Sequence, residues 1–418
     1  MSDQAVWAGN PRSDNPGQIE ARSRPIIDWL LGEERQSARR TNFLIDSFVR
    51  RLRDADLPVD RASMHMRQIH PQLAARSFVW DIESGGATEM GYRHSARDEI
   101  SYIASPVRPV FETGATIRRR LDTPGGRSEF PILAELADRG FTDYIIMPLP
   151  FANGLSNAVS LTTQRKGGFK PSDFALFDAV LPAFATVLEL QQTRRMARDL
   201  LSTYVGPNTG ERIFNGTIQR GDGEVIHAIL WFCDLRGFTA MSQAEPLDQV
   251  IDVLNTYFDC MAGPVTARGG EILKFVGDAM LAIFSCEAEN ATECNALEAA
   301  LGAAEEAVSA ITALNAVRRA VGQNPLEVGI ALHIGDVMYG NIGAADRLDF
   351  TVIGPAVNLV CRVESLSAQL QRSILVSKDL ARLAPELFVS LGEHDLKGLS
   401  EPKEIFGLAQ TKALTGST

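Results

Sequence analysis

The chain has 418 residues and a formal net charge of −11, with 45% hydrophobic and 22% charged residues. That length exceeds one ordinary core and suggests two domains of globular composition. The acidic balance argues against a nucleic-acid binder, which would present a basic face. A triphosphate stays within reach, because metal ions can supply local positive charge.

Residues 1–40 are polar around one apolar patch, Pro25 to Leu31, and read as a mobile arm with one or two helical turns. No basic start followed by an apolar run marks a signal peptide, and no stretch approaches the roughly 18 apolar residues that span a bilayer. A cytoplasmic protein without a membrane span is expected. From Asn42 the spacing of Leu44, Phe48 and Leu52 predicts a helix, followed by strands over Ala62–Ile69 and Ala75–Ile82. His65 and His70 invite a metal proposal, but five residues apart on one strand they face opposite sides. The segment Asp143–Leu161 reads as two strands about an Asn-Gly turn. After Gly167 and Gly168, Lys170-Pro-Ser-Asp173 reads as a helix start.

In that helix Phe174, Phe177, Leu181, Phe184 and Leu188 recur at steps of three and four, with Pro182 expected to kink it. The stripe fits a coiled-coil seam or packing on the domain's own sheet equally well. Residues 191–223 read as a helical linker, broken at Gly206-Pro207. The ending from Asp143 to Leu190 resembles the close of a GAF sensor domain, which assigns residues 41–190 to a GAF-like α/β sensor for an unknown small-molecule or protein signal.

A second domain is expected over residues 224–410, leaving 411–418 as a tail. Strand Val225–Cys233, helix Leu247–Arg268, a hairpin over Glu271–Phe284 and helix Ala291–Arg319 come first. Strands Leu326–Ile334 and Leu348–Ile353, helix Ala356–Leu370 and a short strand-helix-strand tail follow. This order describes a sandwich with helices on one sheet face. The five cysteines (Cys233, Cys260, Cys286, Cys294, Cys361) form no CxxC pair, so neither a disulfide framework nor a zinc site is indicated.

Four motifs lie at the edges of these elements. Phe232-Cys-Asp-Leu-Arg-Gly-Phe-Thr239 puts a carboxylate, Asp234, at a strand end before a glycine turn whose backbone N–H groups suit a metal-bound phosphate. Gly270-Glu-Ile-Leu-Lys-Phe-Val-Gly-Asp278 places Asp278 at a hairpin turn. Two aspartates without histidine or cysteine partners favour a hard ion such as Mg²⁺ or Mn²⁺. Lys274, inside an apolar run, snorkels or has a purpose. Arg347-Leu-Asp-Phe-Thr-Val-Ile-Gly-Pro-Ala-Val-Asn-Leu-Val-Cys-Arg362 sets Asn358 and Arg362 on one helix face, a donor pair suited to a phosphoryl group gaining charge. His394-Asp-Leu-Lys-Gly-Leu-Ser-Glu-Pro402 carries Lys397 in a loop.

In this order and spacing the four motifs resemble the class III adenylate and guanylate cyclases. The resemblance implies an α+β catalytic domain, a ferredoxin-like βαββαβ sheet-and-helix sandwich, working as a homodimer. It implies that Asp234 and Asp278, with the Leu235 carbonyl, hold two divalent ions, and that Phe238 and Thr239 help bind substrate. It also implies that Lys274 and Thr351 read the purine, Asn358 orients the ribose, Arg362 stabilises the transition state and Lys397 binds the triphosphate. Residues 200–223 look like the transducing segment that precedes such domains. Pro355 departs from the family's usual acidic residue, at a position that tolerates proline.

Lys274 can only donate, which fits adenine N1, and Thr351 can accept from the 6-amino group, so ATP is favoured. Lysine can also meet guanine O6. A pyrimidine-nucleotide cyclase and a non-catalytic nucleotide sensor stay open as rival readings. No side chain stands out as a general base.

Overall fold

The computed structural model describes residues 16–33, 40–70, 72–95, 100–152, 154, 156–216, 219–286 and 292–409. Most of the expected arm (1–15 and 34–39), Asn153 of the expected turn, Ala291 and the tail 411–418 lie outside the described residues. The chain divides into two units, Met1–Leu200 and Leu201–Thr418. Among the described residues no helix is long and apolar enough to cross a membrane.

The first unit is built on six strands: β1 (Arg61–Arg67), β2 (Leu73–Asp81), β3 (Gly86–Arg93), β4 (Ile117–Arg120), β5 (Asp143–Pro150) and β6 (Ser156–Thr163). Their order is β3-β2-β1-β6-β5-β4, with every neighbour antiparallel. Alternation along β1 sends Ala62, Met64 and Met66 to one face. There they join Phe78 and Trp80 under helices Pro16–Leu31, Thr41–Asp54 and Pro171–Val205. Helices Val107–Thr113 and Pro131–Asp138 cover part of the other face through Phe111, Leu133 and Leu136.

Two expectations change here. Residues 16–31 are not a mobile arm but a helix whose Ile26, Trp29 and Leu30 are buried, because its apolar patch has a sheet-bound partner helix to pack against. Phe174, Phe177, Leu181, Phe184 and Leu188 are buried in this same unit, and Phe184 stacks on Phe48 with centroids 3.9 Å apart. The stripe is therefore a core face of its own unit rather than an exposed seam. The helix continues through Pro182 to Val205, so it also takes in the first part of the expected linker.

The second unit opens with helix Pro207–Phe214 and eight strands: β7 (Gly223–Arg236), β8 (Glu271–Val276), β9 (Ala279–Ser285), β10 (Glu327–Gly343), β11 (Leu348–Ile353), β12 (Ile374–Ser377), β13 (Phe388–His394) and β14 (Lys403–Leu408). The path is β13-β14-β12-β10-β7-β9-β8, with β11 pairing on β10. Its antiparallel centre, β10-β7-β9-β8, is joined through helices Leu247–Ala267 and Glu293–Ala320, which makes a β-α-β-β-α-β unit. Thr292 caps the second helix by accepting from Asn295 N.

Both helices lie on one face, over Trp231, Cys233, Met280, Phe284 and Ile330. Helix Pro355–Glu364 covers the opposite face with Ala356, Val360 and Val363 against Leu230, Leu281 and Ala331. Helices thus flank both faces, not one. β10 runs 17 residues, well past the expected end at Ile334. Its far end pairs with the start of β7, and at Gly340 a Cβ would sit 2.2 Å from the Asp222 carbonyl, so only glycine fits that approach.

Candidate active site

Strand alternation decides which β7 residues can do chemistry. Ile229, Trp231, Cys233 and Leu235 face the two long helices, so Asp234 faces the opposite way, on the side of helix Pro355–Glu364. The strand then turns at Gly237 (φ 74°) into helix Phe238–Ala244. β9 pairs beside β7, with Met280 opposite Cys233, so the Gly277-Asp278 turn sits next to the end of β7.

The Asp234 and Asp278 carboxyls meet there. The Asp234 carboxyl is pushed up to about 7, first by burial, then by its hydrogen bond to Asp278 and the charges of Asp278 and Glu364. A 3.0 Å bond from Leu235 N to Asp234 Oδ1 opposes the shift. Two crowded carboxyls share a proton because they cannot both ionise at low cost. Among the described residues neither makes an ion pair, and no group of three or more His, Cys, Asp or Glu side chains is placed to hold a metal. An oxygen-only pair under mutual repulsion, beside the Leu235 backbone carbonyl, fits a hard divalent cation.

Lys274 reaches this face through an irregularity. β8 pairs Ile272 with Ala282 but Lys274 with Leu281, a bulge that shifts the register by one. Ala282 belongs to the helix-covered face and Leu281 to the opposite one. Without the bulge Lys274 would point at the helices; with it, the ammonium turns to the face of Asp234. Lys274 lines a cleft of about 950 Å³ together with Asp349, Phe350 and Thr351. Thr351, opposite Gly340, is buried, and its Oγ1 has no hydrogen-bond partner among the described residues.

Asn358 is exposed and Arg362 half-buried, one turn apart on helix Pro355–Glu364, with Pro355 in its first turn. Lys274 and Arg362 both lie close enough to Cys361 to hold its thiol pKa down against burial, which wins and raises it. Leu396 is buried and anchors the loop that carries exposed Lys397. At the next residue, Gly398, a Cβ would lie 3.6 Å from Arg362 Nη2. The structure thus joins Asp234 with Asp278, Lys274 with Thr351, and Arg362 with the Lys397 loop. Phe238 packs partly against the helix-side core and Thr239 is exposed.

Two groups escaped the sequence reading. Glu364 is buried, accepts from Ser367 Oγ at 2.9 Å, and adds its charge to the Asp234 site. A signal existed: it is an acid on the apolar stripe of Ala356, Val360 and Val363. Glu271, at the start of β8, is also buried. It accepts from Asn208 Nδ2 (3.2 Å), Thr209 N (3.2 Å), Thr209 Oγ1 (3.0 Å) and Tyr339 OH (2.9 Å). That knot ties the segment preceding β7 to the strand bearing Lys274, and no local pattern announces it.

The family model of the adenylate and guanylate cyclase catalytic domain matches residues 225–409. An adenylate cyclase of Anabaena cylindrica is 34% identical over 174 residues, 41% of this chain and 34% of that protein. Among solved structures, the adenylyl cyclase CyaB from P. aeruginosa is 29% identical over 46% of this chain and 98% of its own, with a TM-score of 0.42. The guanylyl cyclase Cya2 is 31% identical over 47% of this chain and 98% of its own, with a TM-score of 0.40. The chain spans less than half the length of the curated relatives it matches. Residues 225–409 of this chain therefore belong to the adenylate and guanylate cyclase family of catalytic domains.

Proposed function

We propose that the chain is an adenylate cyclase that converts ATP to 3′,5′-cyclic AMP and pyrophosphate at a homodimer interface, under the control of its N-terminal unit. The observation that carries this reading is the contact of Asp234 with Asp278 on the sheet face shared with Lys274. Asp234, Asp278 and the Leu235 carbonyl would hold two Mg²⁺ or Mn²⁺ ions. Bound there, the ions supply Lewis acidity for the ribose 3′-hydroxyl and offset the charge of the departing pyrophosphate.

The chain's own groups divide the remaining work. Lys274 donates to adenine N1, and the unpartnered Thr351 hydroxyl accepts from the 6-amino group. Asn358 orients the ribose, and Arg362 meets the charge that builds at the α-phosphoryl group. Lys397 holds the triphosphate, and the turn at Phe238 and Thr239 contributes further contacts to it. The similarity to an adenylate cyclase of Anabaena cylindrica is in line with ATP. One observation favours GTP as a second reading: Asp349, in the same cleft, can accept from guanine's N1 and N2 donors.

Two chains are needed because Lys274 and Asp278 flank one tight turn and cannot grip opposite ends of one extended ATP. One chain gives Asp234 and Asp278; the other gives Lys274, Thr351, Asn358, Arg362 and Lys397. The exposure of Phe275, Val276, Ile353 and Leu399 around these groups supports a covering partner. Residues 41–190, a sheet flanked by helices, suit a GAF-like sensor. The test is a four-nucleotide panel with Mn²⁺: cyclic AMP from ATP is expected, and no cyclic product from any nucleotide would sink the enzyme reading.

A further inference from the structure

The face of the first unit's sheet that its three core helices do not cover carries a cavity. His65 and Arg67 on β1 and Ser77 on β2 point to it, opposite to buried Met64 and Met66. Cross-strand pairing sets Ser77 beside His65, and His65 Nδ1 lies 2.8 Å from Ser77 Oγ. Tyr92 and Arg93 of β3 close one side, and Tyr102 and Phe111 another. The cavity measures about 200 Å³. A cavity of roughly 150 Å³ accepts benzene, so this one takes a ring plus a few atoms, or a branched chain of similar bulk.

Its charge is one-sided. Among the described residues the lining includes two arginines, Arg67 and Arg93, and no carboxylate. Neither arginine makes an ion pair with a described residue. The Arg67 guanidinium carbon lies 4.9 Å from the centroid of the Phe111 ring, which holds its planar fork beside an apolar wall. Burial, with Arg61 nearby, holds His65 down to about 4, so the imidazole is neutral near pH 7 and leaves the arginines as the cations among the described lining residues.

We propose that this cavity binds a small organic monoanion with an apolar body, of the size of benzoate, whose carboxylate is met by Arg67 and Arg93. The planar fork of an arginine matches the two oxygens of a carboxylate, and the Phe111 and Tyr102 rings cover the apolar part. Inorganic phosphate has no apolar body for these rings to cover and is doubly charged for part of its population near pH 7, so it is expected to bind more weakly. The proposal concerns binding alone and does not rest on the cyclase reading.

Calorimetric titration of the full chain tests it, with benzoate and isobutyrate as probes, each beside its neutral amide, and with inorganic phosphate. At least one carboxylate is expected to bind one per chain with a Kd near or below ~1 mM. Its amide and phosphate should bind at least about tenfold more weakly. Arg67→Met should weaken carboxylate binding by about tenfold while leaving the melting temperature of the free protein in place. If that variant does not fold, Arg93→Met replaces it with the same expectation. No saturable binding of either carboxylate up to about 10 mM, equal binding of acid and amide, or full affinity in the folded arginine variant would overturn the proposal.

Discussion

The two units treat inward-facing charge in opposite ways. In the first, Arg76 is buried and pairs with Glu89 at 2.6 Å and with Asp199 at 2.7 Å. Asp143 is fully buried and accepts from Arg118 Nη2 at 2.7 Å and Phe169 N at 2.9 Å. In the second, Asp234 and Asp278 face each other with no ion pair among the described residues. Charges that hold a fold together are neutralised within it, whereas charges kept for a ligand are left for the ligand to neutralise. Glu271, in the same unit as the aspartates but with four donors, marks the structural kind.

The largest expected effect separates the two kinds directly. Asp278→Ala should lower cyclase turnover by at least about a thousandfold and cost no stability to denaturant, because it relieves the charge crowding on Asp234. Asp143→Ala should do the reverse, costing roughly 3 kcal/mol of stability. Comparable destabilisation by both, in matched urea titrations, would erase the distinction. Lys274→Glu should cut kcat/KM for ATP by about a hundredfold, with at most a modest gain on GTP; unchanged ATP kinetics would mean that Lys274 does not touch the base.

A smaller effect asks whether the ligand-neutralised site spans two chains. Inactive Asp278→Ala and inactive Asn358→Ala chains, mixed equally and allowed to exchange, should recover about a quarter of wild-type activity. About half the dimers are then mixed, each with one intact site. No recovery after demonstrated exchange would place the whole site in one chain.

The smallest effect is a slope with pH. Between the ordinary aspartate value of 3.8 and about 7, the folded chain keeps a proton at Asp234 that the unfolded chain has lost. Stability of the metal-free protein should therefore fall as pH rises through that window, opposite to a paired carboxylate. With solvent screening of this half-buried group allowed for, the loss is roughly 1–2 kcal/mol. Asp234→Asn should flatten the slope, as should added Mn²⁺; an identical slope in wild type and variant would remove the raised Asp234 carboxyl, held up by burial and by Asp278, as its cause.

Much of the second unit was legible because its elements carry local punctuation: Gly237 after β7, Gly277-Asp278 in the hairpin, Pro355 at a helix start. Where the sequence misled, a distant partner decided. The full run of β10 was hidden by Gly335, Gly340 and Gly343, which look like loop residues until β7 and β11 pair alongside. The stripe from Phe174 to Leu188 admits two partners on periodicity alone, and only the packed Phe48 ring chooses between them. His70, whose ligand role strand alternation already argued against, accepts from Gln72 N and Leu73 N ahead of β2. At the candidate site, Asp234 and Lys274 stood out as polar intrusions into apolar runs. Glu271 did not, because its donors come from residues 208, 209 and 339.

The bulge between Ile272 and Lys274 makes strand length itself an instruction. Deleting Leu273 removes no charge, no donor and no catalytic group, and a comparison of composition would rate the change as mild. Yet it removes the bulge: Ile272 stays opposite Ala282 and Lys274 opposite Leu281, so both keep their faces, and what is lost is buried Leu273, which shares the Asp234 face with Lys274. A one-residue deletion in this strand thus leaves the direction of Lys274 in place and takes away the apolar side chain beside it. The extra residue lets so short a strand set a core side chain and a cleft-lining lysine on one face in succession.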